Sequence, residues 1–380
     1  MEDIISFVQK LYGGKKVIPL HEPVFNGNEK KYLNECIETT FVSSVGKFVD
    51  QFEQRICDIT EAKYAVAVVN GTCGLQIALE CAGVAHDNEV ITQALTFVGT
   101  ANAISHVGAK PVFIDVSRSS LGMCPQSLED FLSEHVEIKE GKAFNKNTGK
   151  KISAIMPVHV FGNPCEIDEV INIATKYNIP VVEDSAESLG SYYKDKHTGT
   201  FGKAGVFSFN GNKIVTSGGG GCIVTNDEKF AIRAKHVTTT AKQPHPYKYH
   251  HDMVGYNYRL TNLAAAVACA QLEELESFLN IKKKVYQRYE EFFNNHDCDL
   301  IKPIDKASSN HWLNSIVTKT SADKEKLLKD AVAKKIMARP IWELMSDLPM
   351  YKDCQQSDLS NSRYFADHVV SLPSSANAKV

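Results

Sequence analysis

The chain has 380 residues, 43% hydrophobic and 23% charged, the balance of a globular protein with room for two cores. A formal net charge of −3 gives no electrostatic reason to bind nucleic acid or an acidic membrane. No run approaches the ~20 apolar residues of a membrane helix, and Met1–Ile5 do not open a signal peptide. Ten scattered cysteines without a C-x-x-C pair read as reduced thiols, so the expected compartment is the cytoplasm.

From about residue 60 to about residue 240, short apolar runs alternate with amphipathic stretches. The spacing predicts strands at Tyr64–Val69, Val90–Thr92, Val112–Ile114, Ile152–Val158, Val181–Glu183, Val206–Phe209 and Cys222–Val224. Helices are predicted at Gly74–Cys81, Ser127–Glu134, Ile167–Lys176 and Glu228–His236. Such alternation predicts an α/β unit with a mostly parallel sheet covered on both faces, its active site at the strand carboxyl ends.

The polar, His-rich stretch Thr238–Asp252 reads as a long ordered loop. Beyond it, Thr261 or Asn262 should cap one long helix through Ala264–Glu276 and on to about Phe293. That helix leads into a smaller C-terminal α+β unit, with a strand at Trp312–Lys319 and a helix at Asp323–Lys335. The expected division is a large unit over 1–250 and a small one over 251–380. The residues before about 50 have no place in the sheet and are expected to lie peripherally, near the small unit or a partner.

Several weak signals share one rim of the predicted sheet. Ser208-Phe209-Asn210-Gly211-Asn212-Lys213 puts a lysine just past a buried strand, followed by the glycine run 218–221. By itself this is a flexible loop with a solvated lysine, or an amine held in a Gly-rich turn. Pro180–Glu187 ends an apolar strand in carboxylates, where Asp184 either caps the next segment or holds a proton on a ring nitrogen. Asn70-Gly71-Thr72-Cys73-Gly74 is a tight strand–helix turn or a phosphate cradle of free N–H groups. Phe97 is core or a stacking ring. His159 is a satisfied structural histidine or a hydrogen-bonding group near the same site. Taken together, a phosphate cradle, a stacking ring, a pyridinium partner and an amine are the parts of a pyridoxal-phosphate site.

At these residues the chain resembles the DegT/DnrJ/StrS family of sugar aminotransferases, fold type I pyridoxal-phosphate enzymes, from about Ile18 to the C-terminus. The resemblance implies that Lys213 is the Schiff-base lysine and proton shuttle, and that Asp184 partners the pyridinium. It puts Thr72, the Cys73 amide and Ser208 on the cofactor phosphate, Phe97 on its ring, and Glu187 in the same cofactor site. Gly255–Asn262 resembles the segment that enters the neighbouring subunit's site. Asn257 would then contact the partner's phosphate, in a homodimer. Glu187 in place of the commoner glutamine, and Asn210-Gly211-Asn212 in place of a His-x-Thr-like run, resemble the branch that aminates C4 of UDP- or GDP-linked 4-keto-6-deoxy hexoses. The 338–351 tail is similar to enzymes of bacillosamine and legionaminic acid formation.

What the resemblance implies is a ping-pong transfer from L-glutamate to a nucleotide-linked keto-sugar, with pyridoxamine phosphate as the intermediate form of the cofactor. Lys242, His245, Lys248 and Arg339 are candidate contacts for the nucleotide diphosphate, each otherwise a solvated surface group. Competing readings are a C3 aminotransferase, a sugar dehydratase on the same scaffold, or a non-catalytic sugar-nucleotide sensor. The presence of Lys213 argues against the dehydratase, and the intact set argues against the sensor.

Overall fold

The computed structural model describes residues 1–13 and 15–380. A seven-stranded sheet forms its centre, numbered here β1 (Tyr64–Val68), β2 (Glu89–Gln93), β3 (Lys110–Ile114), β4 (Ile152–Met156), β5 (Val182–Asp184), β6 (Ala204–Ser208) and β7 (Gly221–Thr225). The strands are short and buried almost throughout, so each reads in the sequence as an apolar run rather than an alternation.

Across the sheet the order is β1-β7-β6-β5-β4-β2-β3. The join between β5 and β4 is made by parallel bridges and by Asp184 N–H donating to the Pro157 carbonyl at 2.9 Å. Only β7 opposes its neighbours, pairing antiparallel with β1 and β6. The expected mostly parallel sheet is therefore what the chain forms. The loops after β1, β2, β5 and β6 consequently share one rim.

One expectation needs correction. The long helix after Thr261 is two helices, Asn262–Glu273 and Leu275–Phe293, which meet at Glu274. Nothing in Leu272–Glu276 disfavours helix, so the break comes from tertiary packing. The first helix is buried against the helices Glu29–Glu38 and Lys47–Thr60, while the second carries Val285, Tyr289 and Phe293 into a separate core with Ile4, Ile5 and Val8. Thr261 is the cap, accepting the Ala264 amide at 3.3 Å, whereas the Asn262 side chain is used by Phe41 and Phe48.

The second core lies under a small antiparallel sheet in the order Asp299–Leu300, Asn314–Val317, Val369–Leu372, Arg339–Pro340. The predicted C-terminal strand and helix are present at Asn314–Val317 and Ser321–Ala333. The N-terminal helix Glu2–Leu11 joins this core, and Ile18 bridges to Ile336. All ten cysteines are free. Among the described residues no helix is long and apolar enough to cross a membrane.

Candidate active site

A cavity of about 730 Å³ opens at the rim where β1, β5 and β6 end, with the small sheet forming its far wall. Asn70, Gly71, Thr72, Phe97, Asp184, Glu187, Ser208, Lys213 and Arg339 all line it. The residues drawn from five separate stretches of sequence do converge.

The cradle is built at the start of the helix Gly71–Cys81. Asn70 caps that helix, its side-chain oxygen accepting the Cys73 N–H at 2.8 Å. The Cys73 amide, expected on a phosphate, is thus engaged within the chain and Cys73 is not among the cavity-lining residues. The amides of Gly71 and Thr72, first in the helix, have no partner among the described residues and carry the positive end of its dipole. Ser208 faces them closely: a Cβ on Gly71 would lie 3.1 Å from the Ser208 Cβ. Gly221 is required for the same approach, since its Cβ would fall 2.6 Å from the Asn70 main chain. Two free amides, two hydroxyls and a helix N-terminus suit a phosphate monoester.

Phe97 precedes the helix Val98–His106 and is 55% exposed, so it is a free ring on the cavity wall and not core. Deeper, Asp184 closes β5. Its carboxylate accepts Thr100 Oγ1 at 2.7 Å and the Ala186 amide at 3.1 Å. Burial pushes its carboxyl above the usual range, opposed by Thr100, the Ala186 amide, Lys213 and His159. A buried acceptor at the cavity floor is where a protonated ring nitrogen would repay the cost of desolvation.

Lys213 projects from the turn between β6 and β7. Its Nζ lies 3.4 Å from Glu187 Oε1 and 3.9 Å from the centre of the Trp312 ring. Burial also raises the Glu187 carboxyl, with Lys213 and the Phe161 amide (2.8 Å) pulling the other way. The residues fit pyridoxal phosphate: phosphate cradle, stacking ring, pyridinium acceptor and amine are ordered around one cavity.

Other expected site residues lie elsewhere. His159 is fully buried behind the sheet rim. Its Nδ1 accepts the Cys165 amide at 3.2 Å, which leaves Nε2 to donate to Glu183 at 3.1 Å. Glu183 in turn accepts the amides of Gly199, Phe201 and Gly202, each at 2.7 Å. This is the structural histidine, out of reach of a substrate. Lys242, His245 and Lys248 sit on an exposed hairpin closed by a Lys242–His251 bridge, and Asn257 is exposed on the adjoining segment. None of the four lines the cavity within one chain. Arg339 does, with Nη1 held on the Ala338 carbonyl at 2.9 Å.

The sequence reasoning missed Thr100 and Trp312. Thr100 falls one turn after Phe97 on the same helix, so helical spacing could have found it. No local pattern marks Trp312.

These relationships define a fold type I, pyridoxal-phosphate-dependent aminotransferase. Residues 24–379 match the DegT/DnrJ/EryC1/StrS aminotransferase family, and the chain belongs to that family of sugar aminotransferases. It is 35% identical to a GDP-perosamine synthase of Escherichia coli O157:H7 over 90% of this chain and 89% of that protein. It is 32% identical to a GDP-perosamine synthase of Caulobacter vibrioides, covering 94% of this chain and 93% of the other. Among solved structures, an aminotransferase of pseudoaminic acid biosynthesis from Helicobacter pylori superposes with a TM-score of 0.85 at 24% identity, over 95% and 94% of the two chains.

Proposed function

We propose that the protein transfers the amino group of L-glutamate to C4 of a nucleotide-linked 4-keto-6-deoxy hexose, with a GDP sugar as the favoured substrate and surface-glycan amino sugars as the destination. The observation that carries the chemistry is the placing of Lys213 Nζ between Glu187 and Trp312 in the cavity that Asp184 floors. The choice of nucleotide is supported by the two GDP-perosamine synthases, each more than 30% identical over most of both chains. A UDP-linked N-acetyl sugar remains the second reading, supported by the likeness of the 338–351 tail to enzymes of bacillosamine and legionaminic acid formation.

When bound, the cofactor supplies an electron-accepting pyridinium that stabilises a carbanion. The chain's own residues do the rest. Gly71, Thr72 and Ser208, which line the cavity, would hold the phosphate, and Phe97 would cover the ring. Asp184 keeps the ring nitrogen protonated. Lys213 Nζ would take the proton from the donor's Cα and hand it to the cofactor carbon on the far side of the donor nitrogen, acting as base and then acid. Arg339, which lines the cavity at the small-sheet wall, would meet a negatively charged part of the substrate.

The active protein is proposed to be a homodimer. Phe41, Val45, Tyr247, Tyr249 and Val254 are exposed apolar or aromatic side chains of the kind an interface between copies would cover. Lys242, His245 and Lys248 on the exposed hairpin, and Asn257 on the adjoining segment, would serve the partner's cavity.

The test is to bleach the loaded enzyme with L-glutamate and offer GDP- and UDP-linked 4-keto-6-deoxy sugars separately. Recovery of the original spectrum with the GDP sugar, and an amine at C4 by NMR, supports the proposal. Recovery with the UDP sugar alone selects the second reading, and an amine at C3 rejects both.

A further inference from the structure

The three residues Asn310-His311-Trp312 tie together the two loops that carry Glu187 and Lys213. Asn310 Nδ2 donates to the carbonyls of Glu187 and Leu189, both at 2.9 Å, and its main-chain N–H donates to Ser191 Oγ at 2.9 Å. Two residues on, Trp312 Nε1–H donates to the Asn212 carbonyl at 2.7 Å. The same indole places its face 3.9 Å from Lys213 Nζ. The loop after β5 and the turn after β6 are thus both fastened to one segment belonging to the other sheet.

Two unfavourable features are tolerated to hold that segment. His311 adopts φ +49, a conformation that L residues with a Cβ avoid, and is kept there by stacking on Tyr286 at 4.1 Å between centroids. Lys282 is fully buried with no carboxylate partner, its Nζ donating to the carbonyls of Trp312 at 3.0 Å and Ser374 at 2.5 Å. Strained backbone and unpaired buried amines persist where the surroundings over-determine them and where function draws on them. Both converge on the placement of one tryptophan.

We propose that Trp312 is a positioning residue for the transamination: its indole face holds the free amine of Lys213 beside the cavity, and its Nε1–H fixes the turn from which that lysine projects. A lysine has four rotatable side-chain bonds, and once displaced from the cofactor it could swing away from the carbon it must deprotonate. In the cofactor-free protein, and again once it has taken up a proton, the lysine is an ammonium, which a ring face attracts while leaving room for it to move. An indole is the one aromatic side chain that gives both a strong cation-binding face and an N–H for the Asn212 carbonyl. The inference rests on Lys213 being the reactive lysine.

The test compares Trp312→Leu and Trp312→Phe with the unaltered protein. Competitive acetylation of the cofactor-free protein by acetic anhydride, read by peptide mass spectrometry, reports how freely Lys213 moves. Single-turnover bleaching by L-glutamate reports proton transfer. In Trp312→Leu, Lys213 acetylation should rise by about threefold or more, as the ring contact is lost. Its bleaching rate constant should fall by about tenfold, with the half-saturating glutamate concentration within about twofold of the original. Trp312→Phe should keep low acetylation and lose about threefold in rate, because a ring face is kept, though a smaller one, while the N–H is removed. A Leu variant that labels and bleaches like the original overturns the proposal. Should that variant fail to fold, the Phe variant decides: an undiminished bleaching rate overturns the N–H clamp and the proposal with it. Borohydride trapping separates the underlying reading, since an adduct on another lysine defeats the assignment of Lys213 itself.

Discussion

Thr100 and Asp184, 84 residues apart, are joined by a 2.7 Å hydrogen bond at the floor of the cavity. The bond stabilises the carboxylate form against burial, which pushes the Asp184 carboxyl up. Because a pyridinium needs that carboxylate ionised, cofactor affinity should weaken as pH falls through the raised Asp184 value. Thr100→Val removes the bond, worth about 2 kcal/mol for a charged acceptor, and should move this loss to higher pH. Spectrophotometric titration with pyridoxal phosphate at a series of pH values would show it. Identical pH dependence in variant and original would mean Thr100 does not tune Asp184.

Lys213→Ala leaves the phosphate cradle, Phe97 and Asp184 in place. The variant should still bind the cofactor, but without a borohydride-stable adduct, and should not complete repeated turnovers. Arginine at 213 should be equally inactive, since its guanidinium stays protonated. Repeated turnover by the alanine variant would remove Lys213 from the chemistry.

Glu187 faces the same amine at 3.4 Å, and burial raises its carboxyl above the ordinary glutamate value. Below that raised value the carboxyl is neutral and Lys213 loses its counter-charge; above it the pair is intact. Glutamate-driven bleaching should therefore show an acid limb at a pH above the usual carboxylate range. Glu187→Gln keeps a group able to accept the Phe161 amide but cannot titrate, so the limb should vanish. An unchanged acid limb would assign it to another group.

Lys282 gives a prediction about stability alone. Burial holds its amine well below the ordinary 10.5, so below 10.5 the unfolded chain binds a proton that the folded chain does not. Folding stability is then reduced in full by this residue below its folded value, and it recovers as pH rises from that value to 10.5, by up to ~1.4 kcal/mol per pH unit. Lys282→Met should flatten that alkaline slope in urea melts. A slope equal to that of the original would show the amine is charged where it lies.

What the sequence disclosed, and what it withheld, follows from the range of the forces involved. Apolar runs bounded by turns mark the strands because fully buried strands of a parallel sheet have no polar face to hide, and the order of elements then puts Thr72, Asp184, Ser208 and Lys213 on one rim. The helix break at Glu274 was not legible, because every residue around it favours helix and only the divergence of two cores imposes it. His159 had two open readings, and the choice was made by the Cys165 amide and Glu183, contacts across the fold. Asn70 is a similar case: its capping bond takes the Cys73 amide that the family resemblance offered to a phosphate. Trp312 lies about a hundred residues beyond Lys213 and carries no local mark at all.

The order of strands in the small sheet has a consequence for biosynthesis. Val369–Leu372 is its last strand in sequence, yet it sits between Asn314–Val317 and Arg339–Pro340 and pairs with both. The small sheet therefore cannot assemble until residue 372 has left the ribosome. Until then Lys213 stands in a half-built cleft, without the wall that carries Trp312, Arg339 and Ser371. Release of the chain before residue 369 would leave the Lys213 amine uncovered beside bare apolar surface. Such a fragment would be a target for proteolysis and unspecific aldehyde capture, so the fold makes synthesis through residue 372 a condition for a competent active site.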